Sequence, residues 1–409
     1  MINLSRRELL TASAGALAAE LLYNTASGPA QWLARAASRA AGDRVIVILQ
    51  LTGGNDGLNT CIPIEDDRYY RARPSLAIGK GASVKLTKEL GLHPSMSGLR
   101  DLWDRGEMAI INNVGYPQPD RSHFRSMEIW HTARLDDIAP SVGWVGRTAD
   151  ACAHTLQKKE GFAPATHVGS TEQPLSLLSE GVIIPSIVDI ERSALKSIDL
   201  TKTENLLDSL ALKKRGGLSG WLAEEARDAY GFSRKLRNIS NNRKKNKYPP
   251  SALGRKLATV STLMEAGLTS RIYHIEADGF DTHAGQAEAH AFLLEEVASG
   301  AAAFFNDLRE RGSAENVTLM VFSEFGRRVR ENASAGTDHG AAGPMLLFGG
   351  GVKGGSHGGA PDLENLDDGD VTMKIDFRSV YASVLEHWLQ LPAKEILGGS
   401  FETLSLFKT

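Results

Sequence analysis

Seven residues near the start of the chain, Val45-Ile46-Val47-Ile48-Leu49-Gln50-Leu51, leave few architectures open. A strand with one wet face alternates apolar and polar residues. This run is apolar at successive positions, so both of its faces must be covered, as in the central strand of a parallel sheet packed between helices. It ends in Thr52-Gly53-Gly54, a turn signal. The same logic recurs downstream. Helical spacing over Met96–Arg105 precedes a second buried strand over Met108–Val114, and a helix over Ser251–Ala266 precedes a strand over Arg271–Glu276. A long helix over Gln286–Arg311 precedes a strand over Val317–Phe322, a short strand follows over Pro344–Phe348, and a helix over Asp376–Leu389 closes the pattern. Strands alternating with helices predict an α/β fold whose mostly parallel sheet is sandwiched by helices. Between about Ala153 and Pro250 the periodicity weakens, and the polar stretch Asn238–Lys247 interrupts any regular element. This span reads as an inserted cap that shapes access to a site.

Residues 1–41 read as an address. Paired arginines in Ser5-Arg6-Arg7-Glu8-Leu9-Leu10 precede an Ala/Leu-rich stretch to about Leu22, and small residues follow at Ala34-Arg35-Ala36 and Ala40-Ala41. This is the order of a twin-arginine signal peptide, which predicts a periplasmic or secreted bacterial protein. The remaining domain, 42–409, is ordinary for a folded protein: over the whole chain of 409 residues, 42% are hydrophobic and 23% charged. The formal net charge of -3, with basic residues concentrated only at Arg243, Lys244, Lys245 and Lys247, argues against a nucleic-acid partner. No later segment approaches the ~20 continuous apolar residues of a membrane span. Cys61 and Cys152 cannot build a disulfide framework, and the sequence leaves open whether they pair.

Ligands of open α/β sheets bind beyond the carboxyl ends of the strands, so polar residues there are the first candidates. After the first strand, Gly53-Gly54-Asn55-Asp56-Gly57-Leu58-Asn59 presents a carboxylate from a glycine-rich turn. After the second, Asp120-Arg121-Ser122-His123-Phe124-Arg125 sets cationic and imidazole groups beside a hydroxyl, which suits an anionic phosphoryl or sulfuryl group. Asp281-Thr282-His283 follows the third strand, and alternate residues of an extended segment can turn both side chains to one ion. Glu324 and Arg327 follow the fourth strand, and His339 lies further along in Gly336-Thr337-Asp338-His339-Gly340.

Together, Gly-Gly-Asn-Asp-Gly-Leu-Asn, Arg-Ser-His-Phe, Gly-Phe-Asp-Thr-His, Ser-Glu-Phe-Gly-Arg and Thr-Asp-His-Gly resemble the bacterial DUF1501 proteins, grouped with the alkaline phosphatase and sulfatase superfamily. The resemblance implies an alkaline-phosphatase-like fold and one or two divalent metal ions, zinc first, with calcium, manganese or magnesium as alternatives. By position, Asp56 is similar to a first-strand metal ligand, Ser122 to the nucleophile, Asp281, His283 and His339 to the ligands of one ion, and Glu324 to a ligand of the other. Arg121 or Arg327 would neutralise the transferred group. The expected activity is hydrolysis of a phosphate or sulfate ester, small or carried on a polymer, through a covalent serine intermediate. Two departures stand out. Alkaline phosphatases have an Asp-His pair where this chain has Glu324-Phe325, and the sulfatase motif Cys-x-Pro-x-Arg is not matched, because Cys61-Ile62-Pro63-Ile64 is followed by Glu65. The missing imidazole supports an alternative, a non-catalytic exported binding or surface-assembly protein on the same fold. Neither reading names a protein partner.

Overall fold

The apolar run Val45–Leu51 (β1) is the middle of one sheet, with partners on both sides. The computed structural model describes residues 44–136, 141–155, 163–169, 172–188, 190, 226–227, 230–234, 236, 247–268 and 270–408. Contacts separate Met1–Arg44 from Val45–Thr409, and the sheet, core and candidate site all belong to the second unit. The expected leader at 1–41 lies outside the described residues.

Among the described residues the sheet has nine strands: β1, Met108–Gly115 (β2), Ala165–Val168 (β3), Ser186–Ile187 (β4), Ile272–Ala277 (β5), Val317–Phe322 (β6), Gly343–Phe348 (β7), Gly355–His357 (β8) and Ile375–Asp376 (β9). Its order is β8-β2-β7-β6-β1-β5-β3-β4, with β9 also on β2. β1 runs parallel to β5 and β6, so that Ile48 lies opposite both His274 and Met320. β7 is antiparallel to both β6 and β2, which turns β2 back to the direction of β1. The carboxyl ends of β1, β2, β5 and β6 therefore share one rim with the start of β7. Within 153–250, β3 and β4 extend the sheet beyond β5, while much of the remainder, including 191–225, lies outside the described residues.

Helices cover both faces, as continuous burial of β1 requires. Val47, Leu49 and Leu51 point to a core shared with Leu253, Leu257 and Val260 of Ala252–Glu265 and with Leu294, Val297 and Phe304 of Gln286–Glu310. Ile46 and Ile48 point the other way, to Trp130 of His123–Thr132, Trp144 of Trp144–Thr155, and Phe377 and Tyr381 of Phe377–Ser383. In chain order these helices are α1 (His123–Thr132), α2 (Trp144–Thr155), α3 (Ala252–Glu265), α4 (Gln286–Glu310) and α5 (Phe377–Ser383). Ser251 caps α3 by accepting a hydrogen bond from the Gly254 amide at 2.9 Å. Trp130 stacks between Phe322 and Phe377, with ring centroids 5.2 and 4.3 Å away. Cys61 and Cys152 form no disulfide and are buried in the cores on opposite faces of the sheet, which explains why they do not pair. Among the described residues, no helix is long and apolar enough to cross a membrane.

The cores also enclose histidines. His131 meets Gln50 Oε1 at 2.7 Å, and His290 meets Asn55 Oδ1 at 2.9 Å. Burial depresses both to about 4, from an ordinary 6.5. The unfolded chain therefore binds more protons than the folded one between those values. Stability is fully present above about pH 6.5 and falls as pH drops towards 4. We expect a loss on the order of 3 kcal/mol per histidine across that window, read as a falling urea midpoint at unchanged slope. A midpoint flat from pH 7 to 4.5 would contradict it.

Candidate metal centre

The rim is assembled around a tight turn. Beyond β1 the chain passes through Gly53 and Gly54 with φ of 119° and 78°, a region glycine enters without penalty. A Cβ on Gly53 would stand 2.4 Å from the Asp281 amide nitrogen, and one on Gly54 would stand 2.2 Å from the Phe325 ring. The turn is thus pressed between the loops that follow β5 and β6.

Arg327 locks these loops together. Its guanidinium is buried and donates from Nε to Gly54 O at 2.6 Å, from Nη1 to Thr337 O at 2.5 Å, and from Nη2 to Gly53 O at 2.5 Å and Asp281 Oδ1 at 2.6 Å. Partial burial opposes ionisation of Asp281, but Arg327 and His339 outweigh it and hold the carboxyl at about 2. Asp281 is a carboxylate at any physiological pH.

Three histidines converge on it. His283 Nε2 lies 3.1 Å and His339 Nε2 3.2 Å from Asp281 Oδ1, and His123 Nε2 lies 3.6 Å from Asp281 Oδ2. The other nitrogen of each ring faces an oxygen that can only accept. His339 Nδ1 is 2.8 Å from Arg121 O, His123 Nδ1 is 2.9 Å from Glu324 Oε1, and His283 Nδ1 is 3.3 Å from Asp338 Oδ1. Each Nδ1 can donate to that oxygen, which leaves Nε2 facing Asp281, as an acceptor in a neutral ring or as a second donor in a protonated one. His283 Nε2 and His339 Nε2 stand only 2.9 Å apart. At that distance the two nitrogens share a proton or a cation. Nδ1 on an oxygen acceptor and Nε2 towards the centre is the arrangement metal-ligating histidines adopt. His123, Asp281 and His339 also offer ligand atoms all within 4.8 Å of one another.

The supporting groups are buried. Glu324 accepts from the Gly53 amide at 2.8 Å as well as from His123; burial opposes its charge, but His123 and that amide prevail and keep its carboxyl below the usual range. The Glu324 hydrogen bond, stronger than the desolvation that opposes it, raises His123, whereas burial lowers His339. Phe325 stands where the resemblance has an imidazole, and its ring packs 4.9 Å from His123 and 4.7 Å from His339, centroid to centroid. Asn332 donates to His283 O and to Asp338, bracing that imidazole.

Asp281, His283 and His339 stand together, whereas Asp56, Arg121 and Arg327 are engaged with other groups. Asp56 is fully buried as the N-cap of the single turn Gly57–Thr60, paired with Arg73 Nη1 at 2.6 Å and bonded to the Gln286 amide. Burial opposes its charge, Arg73 restores it, and no oxygen turns to the histidines. Arg121 is held by Asp370 at 2.6 Å and Asp368 at 3.0 Å. Arg327 spends its donors on carbonyls and Asp281. Glu324 reaches the cluster only through His123. Ser122 is exposed as the N-cap of α1, and its side chain makes no capping hydrogen bond. Sequence reasoning placed His123 beside an anion, and its position at a helix start gave no sign that it stands with Asp281 and His339. Arg73, which fixes Asp56, gave no sequence signal.

A family model described as "Protein of unknown function (DUF1501)" matches residues 43–396. No curated protein matches the sequence. Among solved structures, the chain is similar to a sulfatase from Pseudoalteromonas sp. at 10% identity, covering 90% of this chain and 72% of that one with a TM-score of 0.40. It is also similar to alkaline phosphatase from the Antarctic bacterium TAB5, at 12% identity, covering 75% of this chain and 90% of that one, TM-score 0.31. A phosphonate monoester hydrolase from Silicibacter pomeroyi matches at 10% identity over 88% of this chain and 75% of that one, TM-score 0.36.

The buried pair separates two roles for Asp56. Asp56→Asn should cost about 3–5 kcal/mol, because it strands the Arg73 charge, yet leave metal stoichiometry intact in the folded fraction. Denaturant unfolding with elemental analysis reads both; loss of metal at unchanged stability would make Asp56 a ligand.

Proposed function

The chain belongs to the DUF1501 family, and from its site we propose an exported, metal-dependent hydrolase of phosphate or sulfate esters. The observation that carries this reading is the 2.9 Å approach of His283 Nε2 to His339 Nε2 beside the ionised Asp281. Asp281, His283, His339 and His123 are the residues that would hold the ion. A nitrogen-rich donor set with one carboxylate favours zinc over calcium or magnesium, which prefer oxygen. A divalent ion there supplies Lewis acidity towards an ester oxygen.

The chain's own groups divide the rest of the work. Arg327 fixes Asp281, the Arg121 carbonyl and Glu324 fix the rings of His339 and His123, and Phe325 excludes water behind both rings. Ser122, adjoining His123 and exposed at the start of α1, is the hydroxyl proposed to accept the transferred group. Export rests on the twin-arginine pattern of residues 1–41.

One observation favours a second reading. The guanidinium groups of Arg121 and Arg327 are engaged within the protein, so neither is spare to grip an anion. A binding or surface-assembly protein that uses its ion for structure needs no such group.

Elemental analysis decides first. Wild type purified without chelator should carry about one equivalent of zinc, and Asp281→Ala, His283→Ala and His339→Ala should each lose most of it while remaining folded by circular dichroism. Ser122→Ala should keep the metal and lose ester turnover by at least about 100-fold. Wild type that is folded, metal-free after zinc dialysis and inactive on phosphate and sulfate esters would remove the hydrolase reading.

A further inference from the structure

A small hairpin, Leu366–Asp367 paired with Asp370–Val371, turns through Asp368 and Gly369 at φ of 47° and 83°. Two successive left-handed residues make the tight turn that Asp-Gly favours. The turn carries Asp368 between two arginines. Its Oδ2 accepts from Arg121 Nη2 at 3.0 Å and from Arg328 Nη2 at 3.2 Å, and its carbonyl accepts from Arg328 Nη1 at 2.7 Å. Both arginines stand on segments that build the metal centre. Arg121 lies two residues before His123, and its carbonyl is the oxygen facing His339 Nδ1 at 2.8 Å. Arg328 follows Arg327, and its amide donates to Asp338 O at 3.0 Å, next to His339.

The two carboxylates on Arg121 are unlike. Asp370, with a side chain only 1% exposed, accepts from Nε at 3.0 Å and from Nη2 at 2.6 Å, and so fixes the guanidinium from beneath. Asp368 is 74% exposed and reaches the same guanidinium from the solvent side. Arg121 and Arg328 hold its carboxyl below the ordinary range, so it is charged. Ion pairs this open to water contribute little to stability, and an incoming anion has only that weak contact to replace. Without Asp368, two guanidinium charges would face the one carboxylate of Asp370. Both guanidinium groups are themselves reachable, with side chains 37% and 31% exposed. Guanidinium forks suit phosphoryl and sulfuryl oxygens, and these two already converge on a single oxygen.

We propose that Arg121 and Arg328 form a binding site for a tetrahedral oxyanion, a phosphate or sulfate group, and that the Asp368 carboxylate fills this site until such a group displaces it. Asp370 keeps Arg121 in place throughout the exchange. The engagement of Arg121 is then the resting arrangement of an anion site. Its part in ester binding rests on the hydrolase reading, but the exchange itself can be tested without turnover.

The probe is inorganic sulfate, read on the side-chain Nε–H signals of ¹⁵N-arginine-labelled zinc protein, with Arg121→Lys and Arg328→Lys identifying the two signals. Millimolar sulfate should move both, and sodium chloride at equal ionic strength should not. Asp368→Asn removes the charge but keeps the turn, since Asn-Gly also favours it. It should lower the sulfate midpoint at least about 5-fold, a difference of about 1 kcal/mol. His283→Ala, folded but without its ion, should keep the wild-type midpoint. Kinetics then tell which anionic group uses the site. A lower KM for phosphate or sulfate monoesters in Asp368→Asn assigns it to the transferred group, and a lower KM confined to esters with a second anionic group assigns it to that group. Sulfate shifts that respond to Asp368→Asn in a protein that turns over no ester support the site and remove the hydrolase reading. Turnover with unmoved signals, with shifts that chloride reproduces, or with an unchanged midpoint in Asp368→Asn keeps the hydrolase and overturns the site. Loss of the shifts in His283→Ala would put sulfate on the ion and also overturn it. Unmoved signals without any turnover overturn both.

Discussion

Arg327 is the fixed point of this molecule's functional rim. Its guanidinium presents donors in a rigid planar fork, and here they reach the turn after β1, the carboxylate after β5 and the loop before β7. No other side chain could span that set: lysine has one nitrogen and no plane. The charge is buried, and its cost is offset by Asp281 and by carbonyl oxygens whose dipoles point at it. Geometry at the histidines is inherited from this anchor, because Asp281 is the oxygen on which all of them converge.

The site is hard beneath and open above. Arg327 and Glu324 have no exposed side-chain surface, whereas the side chains of Asp281 and His283 are 47% and 44% exposed. Rigid buried groups thus fix the orientation of accessible side chains before anything binds there. Phe325 contributes to the same end. In place of a further imidazole it gives an apolar wall that keeps water from competing for the ring hydrogen bonds behind the cluster.

Much of this was legible in the sequence, and the failures share a cause. The central strands announced themselves because burial on both faces favours continuous apolar runs, and the grouping of Asp281, His283 and His339 on one rim agrees with the rule that ligands gather at strand ends. Asp56 obeys the same rule, yet its carboxylate is paired with Arg73 and Gln286. A carboxylate after a glycine turn can bind an ion or cap a helical turn, and the choice was made by Arg73, a partner seventeen residues away that packs from a separate loop. Arg121 was likewise decided by Asp368 and Asp370, far along the chain. Short strands such as β4 and β9 are too brief to display a period of two. Local pattern shows which groups are present; pairing over long separations decides which of them are spent.

The reversal of β7 has a further effect. Because β7 lies next to β6 and runs against it, the chain between them, residues 323–342, leaves and re-enters the sheet at the same edge of the molecule. Loops of that kind can lengthen or shorten at a cost that grows only slowly with their size, and no helix or crossover has to be rebuilt. The exposed tip at residues 333–335, between Arg327 and His339, is thus where descendants of this fold can change the mouth of the site, while Arg327 and the sheet are inherited intact.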